Sequence, residues 1–123
     1  MMELDIKNFI KIFVLLVLID LIWLKLVAQK RYQKMILDIQ HTELKVKLLP
    51  AFLTYVAMTM LFIMFHQPDT FKMFMLGFLS YAVYDLTNLT LLDNFDPMFA
   101  IADMVWGGVL FTVVYKTALK INV

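Results

Sequence analysis

The chain has 123 residues, 63% of them hydrophobic, with a mean hydropathy of +0.81, a composition found in membrane proteins rather than soluble domains. A net charge of +1 excludes the concentrated cationic surface that a nucleic-acid binder needs, and the lack of cysteine excludes disulfides, thiolate metal sites and cysteine nucleophiles. Charged residues make up 17% and fall mainly between apolar runs, because hydrocarbon cannot solvate them.

Residues 1–7 are polar, with Glu3, Asp5 and Lys7. Residues 9–28 form the first apolar run, interrupted by Lys11, Asp20 and Lys25. The two lysines stand near its ends, where a long side chain carries its ammonium to the headgroups. Asp20 and Trp23, with no small-residue cleavage pattern after them, make this run a retained span rather than a signal peptide. Residues 29–47 are polar, but Tyr32, Met35, Ile36 and Ile39 recur at helical spacing. That pattern predicts a helix in the membrane interface over residues 30–40, and an extension of the first span would carry the same pattern.

Residues 48–65 form the second span, with Pro50 in its first turn and Thr54, Tyr55 and Thr59 as its polar side chains. A short turn leads to the third span, 71–92, and a second turn, 93–97, to the fourth, 98–118. Pro97 suits the first turn of a helix, and Asp96 suits its cap. Connections this short make successive spans antiparallel neighbours. The fold class predicted is all-α, an integral membrane four-helix up-down bundle forming one domain over residues 1–123.

Three carboxylates stand inside these runs, Asp20, Asp85 and Asp103, and each is costly there unless buried against partners. In an antiparallel bundle they fall near the same membrane face, on the order of 10 Å deep at 1.5 Å rise per residue. On the third span Gly77, Tyr81, Tyr84, Asp85 and Asn88 share a side at spacings of three and four. Asp20 and Trp23 form a stripe on the first span, and Asp103, Trp106, Gly107 and Leu110 one on the fourth. Asp-x-x-Trp therefore occurs twice, and these stripes are expected to converge inside the bundle, with Gly107 and Gly108 allowing close backbone approach. The candidate binding residues are Asp20, Trp23, Tyr81, Tyr84, Asp85, Thr87, Asn88, Asp103 and Trp106. Three carboxylates in mutual reach cannot all be ionised cheaply, so a shared proton or a bound cation is expected. The plain structural alternative is a hydrogen-bonded cluster that fixes helix register.

Other chemistries find little support. His41, beside Asp38 and Glu43, and His66 lie on opposite sides of the bundle, so a zinc site lacks ligands. The ten methionines show no regular pairing and fit adaptable packing better than soft-metal transport. Ser80 and the threonines have no adjacent histidine base, and there is no glycine-rich phosphate loop. No metal and no cofactor are expected.

Leu18-Ile19-Asp20-Leu21-Ile22-Trp23-Leu24, the basic loop with Tyr32, Tyr84-Asp85-Leu86-Thr87-Asn88-Leu89 and Asp103-Met104-Val105-Trp106-Gly107 resemble a family of small predicted membrane proteins catalogued as domain of unknown function 2177. The resemblance spans nearly the whole chain, and its specific part is Tyr-Asp-Leu-Thr-Asn. It implies four spans, an integral membrane location and one shared constellation of Asp20, Trp23, Tyr84, Asp85, Thr87, Asn88, Asp103 and Trp106. It implies no activity. Lys25, where the family often has a small residue, and the charged segment after Tyr32 depart from the pattern without touching the polar stripes.

Lysine and arginine number six on the carboxylate side (Lys25, Lys30, Arg31, Lys34, Lys45, Lys47) and five on the other (Lys7, Lys11, Lys72, Lys116, Lys120). The positive-inside rule then places the carboxylate-side loops in the cytoplasm and both termini opposite, by a margin that leaves either orientation open. The leading function expected is a proton- or cation-linked transporter or channel-like carrier, with Asp85 and Asp103 as the ion site and Asp20 as partner. A bundle this small would carry a solute path as a homo-oligomer. The alternatives are a membrane enzyme acting on a lipid or isoprenoid, with the aspartates as acid and base, and an assembly protein whose cluster only packs. The expected partners are the lipid bilayer and protons or a small cation, with no nucleic acid.

Overall fold

A computed structural model describes residues 3–42 and 47–122. Helix α1, Ile6–Trp23, starts at Asp5, whose carboxylate accepts from the Asn8 amide at 2.8 Å. It passes through a π-helical stretch, Leu24–Ala28, into α2, Gln29–Gln40. Trp23 and Gln29 keep right-handed helical angles on either side of the stretch, so the backbone never leaves the helix. The segment expected in the interface therefore prolongs α1, and the combined rod is about 50 Å long at 1.5 Å per residue. That is more than the roughly 30 Å of a hydrocarbon core. His41, at φ 61°, ends α2 in the left-handed region.

Helix α3 is Leu48–Met64. Helix α4, Thr70–Leu91, is capped by Asp69, whose side chain accepts from the Lys72 amide at 3.1 Å. Helix α5, Pro97–Lys120, begins with the proline and with Asp96 accepting from the Met98 amide at 2.9 Å, the start that the turn composition predicts. The molecule is all-α, with α1, α3, α4 and α5 as a four-helix bundle and α2 as the continuation of the first helix.

The hub is α5, which packs along α4 and against α1, while α1 also packs against α3. The α4–α5 contact is close because it is made of glycine. A Cβ added at Gly77 would collide with the Gly107 carbonyl, and one added at Gly108 would meet the Phe74 ring. Two apolar clusters result. The larger joins Ile12 and Leu16 to Phe62, Met73, Phe111 and Val114. The smaller joins Ala28 and Met35 to Phe95, Phe99 and Ala100, and the Met35 sulfur accepts from the Asp96 amide at 3.3 Å, so α2 is held against the α4–α5 turn. The positions between these clusters along the helices carry the polar residues.

Leu18, Ile22 and Leu26 on the first rod, Leu79 and Val83 on α4, and Ile101 and Val105 on α5 are exposed. Outward apolar faces on helix after helix suit a lipid solvent. Among the described residues only α5 is long and apolar enough, by length and composition, to cross a bilayer, and α3 is a shorter apolar helix. Lys7, Lys11 and Asp20 dilute the apolar character of α1.

Candidate functional site

Asp20 sits at the centre of the bundle, 7% exposed, and accepts from a donor on each of the other three bundle helices. Trp106 Nε1 of α5 donates to Oδ1 at 2.8 Å, the Tyr55 hydroxyl of α3 donates to Oδ2, and the Tyr81 hydroxyl of α4 reaches Oδ1 at 3.5 Å. Because an unpaired carboxyl in an apolar interior is costly, these donors make Asp20, in the last turn of α1, the joint of the bundle.

The two Asp-x-x-Trp stretches are interleaved. Trp23 and Trp106 stack with ring centroids 5.1 Å apart and planes 6° apart. Trp106 serves Asp20 of the other stretch, and Trp23 lies beside Asp103 of the other stretch. The exchange is complete on one side only, since Trp23 Nε1 is buried without a hydrogen bond of regular geometry.

Asp103 is also next to Asp85 and within electrostatic range of Asp20. Asp85 is 1% exposed, and neither of its oxygens makes a regular hydrogen bond. Asp85 is buried and Asp103 is partly buried beside it, so charge on both at once is costly.

A cleft of about 500 Å³ opens onto this cluster, lined by Asp20, Asp103, Trp23, Tyr55, Tyr81 and Tyr84, among others. All four bundle helices and α2 contribute to its lining, and α3 and α4 make no extended interface among the described residues. At the α2 end the Tyr32 and Tyr84 hydroxyls are hydrogen bonded at 2.9 Å. Burial, and then the Tyr84 hydroxyl, push the Tyr32 phenol up from its ordinary range, so it stays protonated and able to donate. The π stretch falls between Trp23 and Tyr32, and such bulges re-phase the side chains that follow and recur at functional sites.

Thr87 and Asn88 stand apart from these contacts. The Thr87 hydroxyl donates to the Val83 carbonyl of its own helix at 2.5 Å and the residue is exposed, while Asn88 is partly buried and makes none of the cluster's hydrogen bonds. Tyr55 and Tyr32 belong to the geometry although the sequence reading left them out of the site. Tyr55 carried a usable signal, since it lies seven residues into a helix starting on the carboxylate side, which is about 10 Å deep at 1.5 Å per residue.

No curated protein and no solved structure matches the chain. The pattern of the family described as "Predicted membrane protein (DUF2177)" matches residues 5–119, a stretch that includes every residue of the cluster; the chain belongs to that family and is a membrane protein.

Proposed function

We propose that this membrane protein is a proton- or cation-linked carrier in which the Asp85–Asp103 pair holds the exchangeable ion. The observation that carries the reading is Asp85, buried at 1% exposure with both oxygens lacking a regular hydrogen bond. Its neighbour is another acid, Asp103, where Asp20 has three donors. In this reading α1, α3, α4 and α5 all cross the bilayer, the α4–α5 turn and α2 face the cytoplasm, and both termini lie opposite. Two copies assemble to enclose the path, because one bundle leaves its cleft open. Asp20 with its three donors is the fixed joint, and the acid pair is the working element.

The test is flux in proteoliposomes under an imposed pH gradient. Wild type is expected to carry protons or a cation, and Asp85→Asn to lose that flux while keeping its fold. Equal flux in both removes the proposal.

A second reading is favoured by the largely apolar and aromatic lining of the cleft, which a lipid or isoprenoid substrate would need. An enzyme of that kind would use Asp103 as acid or base. Lipid extracts that change on deletion and are restored by wild type but not by Asp103→Asn would favour it over transport.

A further inference from the structure

Resting on the carrier reading, we infer that the cleft beside Asp103 takes a monovalent organic cation with an apolar body, such as a substituted ammonium. Its volume of about 500 Å³ is in the range of small-molecule sites, roughly 300 to 1,000 Å³, and far exceeds what a bare ion needs. Its walls carry two carboxyls, Asp20 and Asp103, and no lysine, arginine or histidine, so the field inside favours positive charge. Behind Asp103 its neighbour Asp85 adds a second acid to the same spot.

Much of the rest of the wall is aromatic. Trp23, Tyr55, Tyr81 and Tyr84 line it, and electron-rich ring faces attract alkylammonium groups while leaving an apolar body solvated. A metal ion is the poorer fit, because no group of three His, Cys, Asp or Glu among the described residues is arranged to hold one. Asp20 already accepts from three donors, so Asp103, with Asp85 behind it, is the group that meets the charge. Anionic lipids would meet the same carboxyls and be repelled. Thr54 and Met58 of α3 also line the cleft, and the hydrogen-bonded Tyr32–Tyr84 pair stands at its α2 end.

The chain has two tryptophans, and both stand at the cluster, so intrinsic fluorescence reads the site directly. The experiment titrates the full-length protein in nanodiscs with benzyltrimethylammonium and with its neutral carbon isostere, neopentylbenzene. The cation is expected to give a saturable change and the isostere none, and Asp103→Asn is expected to weaken the cation's binding by about tenfold or more. Should Asp103→Asn not fold, Tyr84→Ala takes its place and is expected to weaken the cation several-fold. Equal saturable responses to both compounds, no response to the cation, or unchanged affinity in the folded variant overturns the assignment. Saturable cation binding without flux overturns the carrier reading alone, and proton-linked flux without cation binding overturns the ligand assignment alone.

Discussion

Trp23 and Trp106 lie face to face with centroids 5.1 Å apart and planes 6° apart, joining α1 to α5 at the level of the carboxyl cluster. Their N–H groups are not equivalent. Trp106 Nε1 donates to Asp20 at 2.8 Å, and Trp23 Nε1 has no regular partner. Replacing each by phenylalanine keeps an aromatic face and removes one N–H. Trp106→Phe is expected to cost about 1 kcal/mol more than Trp23→Phe, the scale of hydrogen bonds between membrane helices. Thermal unfolding of the two variants in the same detergent checks the order, and equal losses would contradict the pairing.

The α4–α5 contact gives a second ordering. At Gly77 a Cβ would meet the Gly107 backbone and the Phe111 Cβ, whereas at Gly108 it would meet the outer edge of the Phe74 ring. A backbone cannot step aside as a ring can. Gly77→Ala is therefore expected to destabilise the bundle by about 1–3 kcal/mol or more, and Gly108→Ala by less. Folded yield and unfolding temperature measure it.

His66 supplies a pH dependence. It is buried between Phe62 and Tyr115, its Nδ1 has no partner, and burial lowers its pKa from the ordinary 6.5. Below that ordinary value the unfolded chain takes up a proton that the folded chain refuses, so stability present at neutral pH is lost as pH falls through about 6.5. His66→Gln should flatten the unfolding temperature over that window. Parallel profiles for wild type and variant would contradict it.

The sequence made some of this site legible and hid the rest. Asp20, Asp85 and Asp103 are visible because charge is rare in an apolar run, and helical rise places them at one depth. Spacing gives a residue a face and a depth but not the neighbour opposite, so the exchange of partners between the two Asp-x-x-Trp stretches could not be read. Tyr55 lies midway along its helix, and spacing alone does not show that Asp20 stands opposite it. Thr87 sits in the most conspicuous polar block, yet its hydroxyl is satisfied by its own helix, an option open to any threonine four residues after a carbonyl. The π stretch after Trp23 leaves no composition signal, and the lysines beyond it mimic the end of a span while the helix continues.

The claim on which the account depends is that Asp85 and Asp103 hold one proton between them. Infrared difference spectroscopy of the protein in lipid, comparing light and heavy water at neutral pH, reads the carbonyl band of a protonated carboxylic acid directly. Wild type is predicted to show that band, shifted in heavy water, and Asp85→Asn to lack it. A wild-type spectrum without the band, or a band undiminished in Asp85→Asn, would contradict the account.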